Sequence, residues 1–273
     1  MTKSDKIEAA IESVIKFLMD RVMDRVLNEV PFVPEEHHLK KPLYAALVPD
    51  EIFKGSHFER RFVTSFGKAW EKLAIAAARE NLGLVFQDHP IDGTVKSERL
   101  RRITEILNQL EDSQNPRKPD WNHELSYVLE GDGQDVTTRV ICDIYAEDIN
   151  TGNKYAFEIK APLPNSDQTK VSKEKLLKLY SMNPQKVDEA YFALPYNPFG
   201  NKDNYQWSFA ERWFNMKEDE VVLIGNETWD KIGGSGTYEL FIKTVNQMGQ
   251  KYKNRIYREF LEIEPPTNQS QLK

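Results

Sequence analysis

Apolar residues recur every three or four positions in some stretches of the chain and every second position in shorter ones. Across residues 4–29 the positions Ile7, Ile11, Val14, Ile15, Leu18, Val22 and Val26 form one helical stripe, with charges on the remaining face. The same spacing in Phe62, Phe66, Trp70, Leu73 and Ala77 predicts a single helix over 58–81, ended near Gly83. Further helices are predicted over 98–111, 168–182 and 238–263. Period-two runs at 140–147 and 154–160 predict a hairpin about the turn 150–153. Residues 84–87, 125–129, 190–194 and 221–224 read as short strands, with 125–129 the first of the sheet. Prolines punctuate 31–49, which reads as an irregular connection, and the tail after Pro265 reads as mobile. With 168–182 crossing over between two strands, the fold class is α/β: a mixed central sheet flanked by helices, plus extra N- and C-terminal helices.

The hairpin carries the candidate chemistry. A tight turn centred on Thr151-Gly152 pairs Asn150 with Asn153 and so sets Asp143 opposite Lys160, with Glu158 diagonal on the same face. Alternation sends Cys142, Ile144, Phe157 and Ile159 to the other, apolar face. Pro162 and Pro164 cannot continue a ladder, so Glu158 and Lys160 stand where the strand ends. Two carboxylates suit a hard dication such as Mg2+, which takes oxygen ligands and leaves positions for phosphate and water. An ammonium beside them can orient water and offset charge on a phosphate. The competing reading is a half-exposed edge whose charges discourage aggregation.

Other candidates surround this hairpin in sequence. Glu71 sits among Gly67, Ala74, Ile75 and Ala78, too apolar a setting for a bare carboxylate, so it needs a metal, a proton, or Lys68 or Lys72. Gln168, Lys170 and Lys173 open a basic helix that either approaches phosphate or is a solvated face. Asn201, Lys202 and Arg212 lie in a polar, aromatic stretch, 196–213, suited to base edges: asparagine matches adenine and arginine matches guanine.

Composition narrows the field. The 273 residues suit one large domain, divided here into a core over 57–195 and a recognition and helical elaboration over 196–273. With 37 basic against 43 acidic residues the net charge is −6, so any polyanion must be met by local basic clusters, such as 99–102, 117–118, 170–178 and 251–258. One cysteine excludes an internal disulfide and fits a reducing cytoplasm. Charges within the first helix argue against a signal peptide or a membrane span. The five histidines lack zinc-site spacing, and Gly233-Gly234-Ser235-Gly236 lacks the lysine of a phosphate loop.

Asp143 followed by Glu158-Ile159-Lys160 resembles the PD-(D/E)xK nuclease superfamily, most closely type II restriction endonucleases. Ala161-Pro162-Leu163-Pro164-Asn165 is similar to the run after the catalytic lysine in several of them, and Ser65, Gly67 and Glu71 resemble a helix of the TdeIII-like group. The resemblance implies a restriction-endonuclease-like core and Mg2+-dependent cleavage of double-stranded DNA at a short palindrome, G/C-rich with an unspecified centre. It also implies a homodimer and a cognate methyltransferase. Asp143 and Glu158 would hold metal, Lys160 would assist water, and Glu71 would support them. The first acid of the motif often follows a proline; Asp120 after Pro119 satisfies this and Asp143 after Cys142 does not, so Asp120 stands as the alternative. A repair or recombination nuclease of the same superfamily and a noncatalytic DNA-binding protein are the rival functions.

Overall fold

A computed structural model describes every residue except Pro116, Gln269, Leu272 and Lys273. In chain order the helices are α1 (Lys3–Asp24), α2 (Pro34–Lys40), α3 (Pro42–Leu47), α4 (Asp50–Phe66), α5 (Ala69–Asn81), α6 (Ser97–Glu111), α7 (Trp121–Leu129), α8 (Ser166–Ser181), α9 (Ser208–Glu211), α10 (Asn226–Gly233) and α11 (Thr237–Arg255). The strands are β1 (Gly83–Lys96), β2 (Asp135–Asp148), β3 (Lys154–Ile159), β4 (Glu189–Leu194) and β5 (Val222–Ile224). Single π-helical turns, Arg25–Glu29 and Ile256–Phe260, extend α1 and α11. Two compact units result: residues 1–73 with 239–273, and residues 74–238. No helix of the described residues is long and apolar enough to cross a membrane.

The predicted N-terminal, 98–111, 168–182 and C-terminal helices are all present, because their apolar stripes find cover. In α1 the buried set is Ile7, Ile11, Ile15, Leu18, Met19, Val22 and Met23. Four expectations are corrected. The 31–49 connection contains two helices, since Pro34 and Pro42 each open one at a position where the missing N–H costs nothing. The predicted 58–81 helix starts earlier, at Asp50, and is interrupted at Gly67 and Lys68. Residues 125–129 belong to α7, not to a strand: Asp120 caps it, accepting from the His123 amide at 3.0 Å, and Trp121, Glu124 and Val128 are its buried positions. The short strand at 84–87 is the start of the long β1. Its Pro90 is tolerated because β1 lies at the sheet edge. Part of the C-terminal tail predicted to be mobile falls outside the described residues.

The sheet lies within residues 74–238 and runs in the order β1-β2-β3-β4-β5. The first two pairings are antiparallel and the last two parallel. Helix α8 is the crossover that the parallel β3–β4 pair requires. Beneath the sheet α6, α7 and α8 deliver Ile103, Ile106, Leu110, Trp121, Val128, Leu176 and Leu177 to one core with Val140, Cys142, Ala156, Ala190 and Phe192. Within that core lies an ion pair, Lys173 Nζ to Glu124 Oε2 at 2.5 Å, with both side chains inaccessible to solvent. The Lys173 ammonium also donates to the Trp213 carbonyl at 2.5 Å and faces the Phe214 ring.

Candidate catalytic centre

Strand β3 is third of five, and every residue from Tyr155 to Ile159 is buried, so the reading of a solvated edge hairpin does not hold. The Lys160 amide still donates to the Ala193 carbonyl at 3.1 Å, after which the prolines end the ladder. Lys160 is thereby delivered to the mouth of the parallel pair. Its Nζ reaches Asp143 Oδ2 at 2.5 Å and Glu158 Oε2 at 3.2 Å. The three residues singled out on the hairpin therefore converge on one point.

The register that achieves this differs from the predicted one. Ile144 pairs with Phe157 and Glu147 with Lys154, so the register runs on to Asp143 beside Glu158, two residues from the predicted Asp143–Lys160 pairing. The turn is wider: Asp148 accepts from the Gly152 amide at 2.7 Å, and its side chain accepts from the Asn150 amide at 2.9 Å. Gly152 takes the left-handed φ of 77° that closes this loop. A slip of two leaves each side chain on its face, so the acids and the lysine still share a side.

Face assignment fails at one place. The rings of Phe86, His89 and Tyr145 touch one another, with centroids 5.2 Å apart for Phe86–His89 and 4.7 Å for His89–Tyr145. Strict alternation would send Phe86 and His89 to opposite faces. Asp88 between them has a left-handed φ of 48°, which breaks the period. Across from His89, Cys142 accordingly packs in the cluster with Tyr145 and Ala156 instead of on the face assigned to it with Ile144.

A fourth side chain completes the cluster. Lys175, on α8, places Nζ 2.9 Å from both Glu158 oxygens. Glu158 is 1% exposed, and Asp143 and Lys160 are 16% and 17% exposed, so an enclosed carboxylate meets a partly open rim. Burial pushes the Glu158 carboxyl above the ordinary range and Asp143 adds to this, while Lys160 and Lys175 oppose it. Burial disfavours the Lys160 ammonium, but Glu158 and Asp143 outweigh it and raise its pKa, so Lys160 is a cation and a hydrogen-bond donor. Sequence inspection did not single out Lys175. Only the way α8 lies against β3 decides which lysine of a lysine-rich helix faces the glutamate.

The remaining candidates separate. Asp120 serves α7 as its cap and lies by Asp219 in the charge network, a structural occupation. Glu71 belongs to the other unit, with Lys68 at 3.7 Å. Lys173, expected to meet DNA, is instead the fully buried partner of Glu124; its helix turns that position onto the α7 face and Trp213, away from solvent. Lys170 pairs with Glu111 at 2.6 Å and Lys202 with Glu227 at 2.9 Å, while Gln168, Asn201 and Arg212 are exposed.

Among the described residues no group of three or more His, Cys, Asp or Glu side chains forms a metal cage. The Asp143–Glu158 pair is nevertheless a fitting donor set for magnesium, which takes one or two carboxylates and completes its shell from phosphate and water. The Lys160 ammonium, gripped by both acids, shows that this point is shaped to hold positive charge.

Residues 7–249 match the family model of the HinfI type II restriction endonucleases. Three type II restriction enzymes of Herpetosiphon aurantiacus are similar over most of their length. HgiCII is 25% identical over 228 residues, spanning 81% of this chain and 82% of the relative. HgiBI, at 24%, and HgiEI, at 25%, each align over 227 residues with the same coverage. The likeness to the TdeIII-like group rests only on Ser65, Gly67 and Glu71. An α/β sheet whose acids and lysine meet at a strand's exit, joined to a match across most of the sequence, identifies the chain as a member of the HinfI family of type II restriction endonucleases, site-specific deoxyribonucleases.

Proposed function

We propose that this enzyme hydrolyses double-stranded DNA at a short specific site with Asp143, Glu158 and Lys160 as its catalytic residues, in the PD-(D/E)xK manner and with Mg2+ as cofactor. The observation that carries the assignment is the shared grip of both carboxylates on the Lys160 ammonium. Asp143 and Glu158 would hold magnesium, which supplies positive charge against the phosphate and acidity to water. Lys160, fully protonated, donates to the attacking water or the phosphate oxygens and steadies the charge that builds as the new P–O bond forms and the old one breaks. Lys175 holds Glu158 by both oxygens and opposes the upward push that burial gives its carboxyl. Exposed Gln168, Asn201 and Arg212, with Lys170 and Lys202, are the candidates for DNA contact; Glu71 is proposed as a supporting residue.

A homodimer acting on a two-fold symmetric site, in a cytoplasm where a cognate methyltransferase protects host DNA, is the setting this chemistry fits. Digestion of unmethylated phage DNA tests the reading. Discrete fragments are expected with magnesium and none with chelator. Lys160→Ala and Glu158→Ala are each expected to lower cleavage by about 100-fold or more, from the worth of a single transition-state contact, while duplex binding in chelator persists. Cleavage by Lys160→Ala at the wild-type rate would remove the assignment.

A further inference from the structure

A second cluster of charge lies in the unit that holds residues 1–73. Residues 30–33, α2 and α4 wall a cavity of about 270 Å³. Six of its side chains are basic: His37, Lys40, Lys41, His57, Arg60 and Arg61. Against them stands Glu36, already tied to Lys40 at 2.7 Å. Arg61 donates through Nη1 to the His57 carbonyl at 3.3 Å, but its buried Nε has no hydrogen-bond partner among the described residues. The buried Nε2 of His37 has none either, in a ring held against Phe53 with centroids 4.1 Å apart.

This arrangement is costly as it stands. The enclosed Arg61 Nε–H, a donor without an acceptor, loses its hydration and gains nothing in return, and the buried His37 Nε2 is likewise unsatisfied. Burial, Arg25 and Arg60 all act to depress the Arg61 pKa, so like charges crowd one another here without a matching anion. An oxyanion would satisfy both wants at once, since guanidinium Nε and Nη groups form a fork suited to phosphate oxygens. The cavity has room for a phosphate group, and its basic lining is what selects one.

We propose that this pocket binds one backbone phosphate of the DNA substrate, anchoring the duplex through residues of the unit that does not carry the Asp143–Glu158–Lys160 centre. The inference rests on the chain's being a DNA-cleaving enzyme and adds a site of contact to it.

Binding of the full-length protein to a duplex that it cleaves, measured in chelator across a salt series, tests the pocket. Arg61→Gln and Arg60→Gln are each expected to weaken affinity by about tenfold. Each is also expected to reduce the magnitude of the log–log salt slope by about 0.9, the loss of one phosphate contact. Arg60 is exposed, so its variant folds even if Arg61→Gln does not, and circular dichroism checks both. Inorganic phosphate distinguishes the source of the anion: it should raise the melting temperature of the wild type more than that of Arg60→Gln. Unchanged affinity and slope in Arg60→Gln would overturn the proposal, as would lost phosphate stabilisation with DNA binding intact. The proposed catalytic centre is tested separately by cleavage in magnesium, so a failure there leaves the binding result to be read alone.

Discussion

Two ammonium groups meet the enclosed Glu158 carboxylate, and they do different work. Lys160 also touches Asp143 and stands at the partly open rim, whereas Lys175 binds Glu158 by both oxygens from α8. Lys175 is therefore assigned a positioning role. Lys175→Ala is expected to cost about 10–100-fold in activity, the range typical of groups that orient metal ligands. The loss should be greatest at limiting magnesium, and Lys175→Arg should restore part of it. A magnesium titration of cleavage separates this from a general loss of fold, which would lower the plateau without moving the midpoint. Cys142 gives a second residue-level expectation. Burial, with the charges of Glu158 and Asp143, raises its thiol from 9.0 to about 12. The native thiol should thus resist aromatic disulfide reagents at pH 8 and react only on unfolding. Because the folded value is the raised one, its contribution to stability is complete below pH 9 and is lost as pH climbs toward 12.

At the scale of elements, the packing of α7 against α8 depends on a charge pair with no access to water. Removing one partner strands the other: Lys173→Met should destabilise by about 3–5 kcal/mol in urea unfolding, because Glu124 is left buried and unpaired. Lys173→Met combined with Glu124→Leu should recover most of that loss, the pair being worth little against apolar replacements. If the double variant were as unstable as the single one, the pair would have a role beyond charge balance. The same pair explains why a basic helix was misread. Lys170, Lys173, Lys175 and Lys178 look alike in sequence, yet they meet Glu111, Glu124, Glu158 and Glu174 respectively. Spacing specifies that they occupy different angles on α8; Glu174 lies on the same helix one turn from Lys178, but what the other three lysines meet comes from other elements.

For the whole molecule, the net charge of −6 gives no general pull toward DNA, so affinity must come from local basic groups and fall steeply with salt. Type II enzymes that cut palindromes need two centres, and the dimer proposed here should sediment at twice the chain mass with cleavage of both strands in one binding event. A monomer at micromolar concentration, in the presence of site DNA, would count against it.

The meeting of three hairpin side chains was readable from the chain because it is local: a two-residue period, two prolines and a turn confine Asp143, Glu158 and Lys160 to one face even when the register is misjudged by two. The amphipathic helices were readable for the same reason, each carrying its own apolar stripe. Residues 125–129 were misread because a short apolar run suits helix or strand equally, and the Asp120 cap decides between them. Asp88 was invisible, since its left-handed backbone breaks the alternation without any glycine to announce it. Lys175 at Glu158, Lys173 at Glu124 and the arginines around one cavity depend on which helix face meets which strand or helix. That choice is made by packing between segments far apart in the chain, and no periodicity within a segment encodes it.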